Sequence, residues 1–307
     1  MLSGYKKAGV YFLLTWSMIF WSLSFIWYKD AYLYFKPITT IFFRLVISAV
    51  FLFFLSLSLK ELQKVKLKDF KYFLIAAFFE PFIYFIGESF GMQLVSSSMA
   101  AVIIALIPLF SPFAGYIFLK EKVSPANILG ILLSIIGIIF IIFHHGFHLQ
   151  APLKGIMLMF LAVCAAIGYS IMIRKIAYKY NSFTIVTYQN MIGSLLFAPL
   201  FFILDFDTVR QTTYTLANFK AIFELAIFAS SFAFVFFAYS IRHIGVTKAN
   251  TFTNIIPVFT AILAYFLLNE ELGLNKIMGT FLVIVGLFLS QIDISKLKIL
   301  AKTHLKR

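Results

Sequence analysis

Apolar residues fill this chain in long blocks, broken by short polar gaps. A helix that crosses the hydrocarbon of a bilayer needs about 20 largely apolar residues. Reading for such blocks predicts ten spans, at 8–28, 38–59, 72–94, 98–119, 126–143, 154–173, 183–204, 219–241, 247–268 and 274–292. The longest gaps, 60–71 and 205–218, are too short to fold as domains. The pattern therefore leaves no soluble catalytic domain. The first block follows Lys6 and Lys7, the charge order of a signal peptide. Ser22-Leu23-Ser24 is a weak match to a cleavage site. The block outruns a signal core and carries Trp16, Trp21 and Trp27, so it is expected to stay as the first helix.

Charge sets the expected orientation. Nineteen of the 26 lysines and arginines fall at the N-terminus, in loops 60–71, 120–125, 174–182 and 242–248, and in the C-terminal tail. Six fall in the alternate loops, and Arg44 lies within a span. Cytoplasmic loops carry such an excess, which predicts that both termini are cytoplasmic. The membrane implied is a bacterial inner membrane.

Composition narrows the class. The chain is 62% hydrophobic and 12% charged, whereas soluble domains are about half apolar and about a quarter charged. Forty Phe and fifteen Tyr cannot all hide in a water-soluble core of this size. A soluble enzyme, a nucleic-acid-binding domain and a disordered tail are excluded. The net charge of +14 is the loop bias, not a sign of a nucleic-acid partner. The tail from Lys296 to Arg307 reads as a solvated end near anionic lipid. The single cysteine, Cys164, sits inside an apolar block and reads as a small packing residue.

A shift of 149 residues lays 98–140 on 247–289 without a gap. Pro108 then meets Pro257, Tyr116 meets Tyr265, Glu121 meets Glu270, Gly130 meets Gly279, and Gly137 meets Gly286. Shared apolar composition does not readily place Pro, Glu and two Gly in register, so the match reads as a true repeat. A unit of five helices is odd, so its two copies must be inverted, as in many secondary transporters. The expected fold is an all-α integral membrane protein of ten transmembrane helices. Residues 1–145 form one five-helix repeat, 150–293 the inverted second, and 294–307 a basic cytoplasmic tail.

These residues resemble the EamA type of the drug/metabolite transporter superfamily over nearly the whole chain. Trp21-Ser22-Leu23-Ser24-Phe25 with Lys29 is similar to that family's opening Trp-small-x-small-Phe…Lys. Pro37…Phe43-Arg44 resembles its Pro…Arg. Ala100-Ala101…Pro108 and Ala249…Pro257 resemble its Ala…Pro element, with Glu121, Glu270 and the paired glycines following. The second half departs from the pattern. Gln189 stands where Arg44 stands in the first half, and the opening Trp is replaced near Ile167. The resemblance implies ten helices, efflux or exchange of small polar metabolites, and no nucleotide hydrolysis.

Charged groups at the bilayer centre cost at least about 2.5–3.5 kcal/mol, so they are the best pointers to a site. Glu80, Tyr84 and Glu88 share one face of helix 3 at i, i+4 and i+8. Gly87 and Gly91 lie near that face and admit another helix or a ligand. Pro81 removes a backbone hydrogen bond there. Glu88, and with it Glu80, is a candidate to bind a cation or a proton or to pair with a substrate ammonium, with a purely structural pairing to Arg44 as the other reading. Arg44 either pairs with Glu88 or a substrate carboxylate, or snorkels to the interface. In helix 9, Asn250 and Asn254 suit substrate hydrogen bonding and equally suit bonds between helices. Pro108 and Pro257 are expected to break helices 4 and 9 near their middles, where freed carbonyls can line a cavity. Trp21 shares a face with Ser17 and Ser24 and can stack on a ligand, or simply pack. Tyr188, Gln189 and Asn190 are consecutive and cannot all line one cavity.

Other chemistry finds little footing. His144, His145 and His148 lie at an outer turn without a neighbouring carboxylate or thiol, so a solvated turn is expected over a metal site. No cofactor or metal is expected, and no GxxxxGK[ST], HExxH or G-x-S-x-G motif occurs. The reading is a secondary active transporter of a small polar metabolite, an amino acid or related compound, moved outward by alternating access and coupled to protons or another gradient. An uptake carrier or exchanger is the alternative. After it come an intramembrane enzyme on a lipid or prenyl substrate, using the outer histidines with Asp205 and Asp207, and a scaffold. Oligomeric state is open, a homodimer included.

Overall fold

The computed structural model describes residues 4–110, 125–144, 148–245, 249 and 252–290. Glu121, His145, Asn250 and the basic tail lie outside them, as do the side chains of His144 and His148. The described residues form helices in chain order: α1 (Gly4–Ala31), α2 (Pro37–Ser58), α3 (Leu67–Leu94), α4 (Ser97–Phe110), α5 (Pro125–Ile142), α6 (Leu153–Ala177), α7 (Ser182–Leu204), α8 (Leu216–Ile244), α9 (Thr253–Leu268) and α10 (Leu274–Ser290). A short helix, Phe206–Gln211, follows α7. Seven of these are long and apolar enough to cross a membrane, and α4, α9 and α10 are shorter apolar helices. The one extended element among the described residues is a two-residue antiparallel ladder pairing Phe143 with Leu149 and His144 with His148.

Local chemistry marks the helix ends. Pro37 opens α2 in the first turn, where no intrahelical N–H is needed. The Ser96 hydroxyl accepts from the Met99 N–H at 3.3 Å, and the Asn181 side chain accepts from the Thr184 N–H at 2.8 Å. Thr215 and Asn218 cap each other reciprocally at the start of α8. Gly245 ends α8 at a positive φ of 85° that glycine tolerates without a Cβ clash, and Asn269 ends α9 in the left-handed αL conformation at φ 51°.

Three helices are irregular in their interiors and a fourth, α9, in its first turn. α3 widens into a π-helical stretch at Phe78–Ile83, where Glu80 leaves helical geometry (φ −142°, ψ 113°). The ring of Pro81 and its missing N–H account for this break. α8 has a similar stretch at Leu225–Phe232. α4 is regular through Ile104, turns at residues 105–106, and resumes at Ile107. α9 begins as a 3-10 turn at Thr253–Ile255 and becomes α-helical at Ile256. The expected breaks at Pro108 and Pro257 thus fall just ahead of each proline, on the side where its ring crowds the backbone.

Small residues let helices meet closely. α5 and α10 run antiparallel with Gly130 against the backbone at Gly286 and Gly137 against that at Gly279. A methyl group on any of these four would collide with the opposite carbonyl or its neighbours. Between them the Ser134 hydroxyl donates to the Val283 carbonyl at 3.3 Å. Gly87 faces the Leu158 carbonyl and Ala162, and Gly91 faces Met159. These two glycines therefore admit α6 and not a ligand.

Buried hydroxyls and amides join other helices. Ser17 donates to the Ala233 carbonyl at 2.9 Å, Ser48 and Ser231 share a bond of 2.6 Å, and Asn190 donates to Ser48 at 2.7 Å. Such bonds in membranes contribute roughly 0.6–2 kcal/mol each. The helix 7 triplet divides as its spacing requires. Asn190 binds α2 and α8, Gln189 accepts from Tyr169 at 3.0 Å, and Tyr188 packs edge-on against Phe73.

One expectation is corrected. Cys164 is exposed and is not a packing residue. Its neighbours Ala162, Val163, Ala165 and Ala166 are buried, and the helical turn puts Cys164 on the outward face with Leu161. At the chain's ends of the bundle, Lys179 pairs with Asp69 at 2.7 Å and joins loop 178–181 to the start of α3. The hydrogen bond to Asp69 holds the Lys179 ammonium above the usual lysine range. Asp205 accepts from the Thr39 N–H at 3.2 Å and its hydroxyl at 2.8 Å. It is committed to the first turn of α2, where a carboxylate suits the helix dipole.

Candidate functional site

A cavity of about 120 Å³ lies among α1, α2, α3, α4, α6, α8 and α9. On that scale one water takes about 10–15 Å³, so the space suits several waters or a small solute. Glu80, Tyr84 and Glu88 all line it, although the break at Glu80 takes them out of one regular helix. Trp21, Arg44 and Pro108 line it as well. The breaks in α4 and α9 border it through Ala105 and Thr253.

Arg44 and Glu88 are held in one network. Arg44 is 2% exposed, which sets aside snorkelling, and Glu88 is 4% exposed. Their charged atoms lie 3.9 Å apart. Tyr28 bridges them, accepting from Arg44 Nη1 at 2.5 Å and donating to Glu88 Oε2 at 3.0 Å. Tyr84 donates to Glu88 Oε1 at 2.9 Å. Arg44 Nε donates to the Ser230 hydroxyl. The guanidinium lies over the Phe85 ring, 4.2 Å from its centroid. Both oxygens of Glu88 thus have donors, and the charges offset each other. A buried pair needs this degree of satisfaction to persist.

Glu80 differs. It is 7% exposed, and no described residue donates a hydrogen bond or forms an ion pair with its carboxylate. Tyr169 and Ser170 line the cavity with it. Trp21 is braced edge-on by Phe234 at 5.1 Å and Phe237 at 4.9 Å, and presents its remaining surface to the cavity.

Asn254 is not brought to the cavity. It is 1% exposed, and neither amide atom meets a partner among the described residues. Pro257 sits in the first turn of the regular part of α9, behind cavity-lining Ile256. Lys29, part of the family resemblance, donates to the carbonyls of Met92 at 2.5 Å and Val95 at 2.7 Å. It caps α3 at the favourable end of the helix dipole and does not reach the cavity.

Sequence reasoning missed Tyr28, Tyr169 and Phe85. Tyr28 lies at i+7 from Trp21 and i+4 from Ser24, so the helical period places all three on one face. Tyr169 and Phe85 had no such signal, since nothing local marks which aromatic rings meet a cavity.

Spanning apolar helices around a cavity lined by aromatic rings and three charged side chains define an integral membrane protein that handles a small solute. The sequence pattern of the EamA-like transporter family matches residues 8–143 and again 153–291. The chain belongs to that family, whose work is transport of small solutes across a membrane. An uncharacterized transporter of Archaeoglobus fulgidus is 27% identical over 273 residues, 89% of this chain and 95% of that protein. The uncharacterized transporter YcxC of Bacillus subtilis is 28% identical over 239 residues, 76% of each chain. A protein known from a crystal structure superposes with a TM-score of 0.69, covering 92% of this chain and 98% of its own at 15% identity. That likeness concerns the fold alone.

Proposed function

We propose that the protein is a secondary active transporter that moves a small polar metabolite, an amino acid or related compound, outward by alternating access. The observation that carries this reading is the cavity itself, bordered by a helix break from each half of the chain. Broken helices around a central site are a recurring construction in such carriers.

Two inverted five-helix repeats, 1–145 and 150–293, supply the alternation. Three observations support them. The family pattern matches twice along the chain. The breaks at 105–106 and 253–255 fall at corresponding places under the shift of 149 residues. The α5–α10 contact is reciprocal, since Gly130 meets the repeat mate of Gly137 and Gly137 meets the repeat mate of Gly130. Ser134 and Val283, bonded at the centre of that contact, are themselves repeat mates. One chain supplies all the residues that line the cavity, so this reading needs no second copy. In this reading both termini are cytoplasmic, as the lysine and arginine bias supports, and the membrane is a bacterial inner membrane.

In this reading Trp21 and Tyr84 contact the substrate. Glu80 and Glu88 carry the coupling charge, with Arg44 setting their field. The test is reconstitution in liposomes loaded with a mixed metabolite extract, under an imposed pH gradient, with effluxed compounds identified by mass spectrometry. Selective loss of one compound class, absent from empty liposomes and reduced in Glu88→Gln, is the expected result. No selective efflux by folded wild-type protein, with either sign of gradient, overturns the reading.

A further inference from the structure

We propose that the substrate enters the cavity as an organic monocation, an amine without a carboxylate, whose ammonium group pairs with Glu80. This inference rests on the transport reading and, among its small polar metabolites, favours a related amine over the amino acid itself.

Three residues lining the cavity carry formal charges: Arg44, Glu80 and Glu88. Arg44 and Glu88 offset each other across 3.9 Å, with Tyr28 and Tyr84 donating to both carboxylate oxygens. The remaining charge is the carboxylate of Glu80. It is more than nine-tenths buried, lines the cavity, and has no hydrogen-bond or ion-pair partner among the described residues. The charged groups nearest it are Glu88 and Arg44, and the phenols of Tyr84 and Tyr169 stand close by. A buried carboxylate without a counter-charge is costly, and an ammonium would remove that cost.

The walls fit the same solute. Trp21, Phe25, Tyr84, Phe234 and Phe237 supply aromatic surface, which attracts a desolvated cation. A carboxylate finds no equivalent welcome. Arg44 already donates to Ser230 and Tyr28, lies against Phe85 and is neutralised by Glu88. With Glu80 ionised, a zwitterion leaves the cavity at one negative charge and a monocation brings it to neutrality.

The experiment titrates purified full-length protein in detergent with n-butylammonium, norvaline and butyrate. Binding is read by tryptophan fluorescence, since Trp21 lines the cavity. Butylammonium is expected to bind more tightly than the zwitterion or the anion, by about tenfold. Glu80→Gln is expected to abolish that preference while melting at the wild-type temperature. Equal or tighter binding of norvaline or butyrate by the wild type overturns the proposal, as does absence of saturable butylammonium binding. Retention of the preference in folded Glu80→Gln overturns it too. The wild-type series decides by itself if that variant does not fold. Efflux of a zwitterion or an anion from metabolite-loaded liposomes would overturn this inference and leave the transport reading standing.

Discussion

Arg44 occupies the most constrained position in the molecule. Every group it touches belongs to another helix or to a distant turn of the chain: Tyr28 on α1, Glu88 on α3 and Ser230 on α8. Removing one partner of a buried ion pair strands the other, which costs about 3–5 kcal/mol. Arg44→Met is therefore expected to lower the melting temperature in detergent sharply. Arg44→Met combined with Glu88→Leu is expected to recover most of that stability without recovering transport. A double variant as unstable as the single one would place the destabilisation elsewhere. The pairing of Arg44 with Glu88 was legible in the sequence because charges within apolar blocks are few and must meet something. Tyr28 was not, because one tyrosine among fifteen carries no mark of its partner. Asn254 shows the converse limit. Its spacing from Asn250 suited a cavity wall, yet the amide points into packed protein, and nothing in α9 alone gives the rotation of that helix.

Among the elements, the α5–α10 crossing depends most on the absence of side chains. Enlarging Gly286 forces a side chain into the Gly130 carbonyl and Ser134. Gly286→Val is expected to destabilise by about 1–3 kcal/mol, seen as a lower melting temperature. Gly9→Ala serves as the contrast. Gly9 has open space around it within α1, and alanine there is expected to stabilise by about 0.5–1 kcal/mol. Equal responses at the two sites would mean the crossing is looser than its geometry. The glycine pattern was legible as a repeat, although its purpose was not, because matching positions in sequence do not say which surfaces touch. Each apolar block overlaps an apolar helix among the described residues, seven of them long enough to span. They could not locate the breaks, since hydropathy is blind to backbone geometry. Prolines came within a few residues of the breaks in α3, α4 and α9. The π-helical stretch of α8 contains no proline and left no trace in the pattern.

At the scale of the whole molecule, orientation rests on the distribution of lysine and arginine. The chain offers a direct check, because its one native thiol, Cys164, can be replaced by alanine. Lys64 and Thr213 are both exposed, in loops assigned to opposite sides. With an impermeant maleimide added outside intact cells, Thr213→Cys is expected to react and Lys64→Cys to stay silent until the membrane is opened. The reverse pattern would turn the molecule over.

The paired glycines of α5 and α10 have one more consequence. Two backbones in direct contact, with a hydroxyl-to-carbonyl bond at their centre, have no clearance to slide past each other, but they can roll. In the transport reading such a contact would serve as a fulcrum. If the halves of the chain exchange postures about it, displacement grows with distance from the line through Ser134 and Val283. The far ends of the bundle would then sweep the widest arc, while the glycines, which tolerate the least disturbance, would travel the shortest path of all.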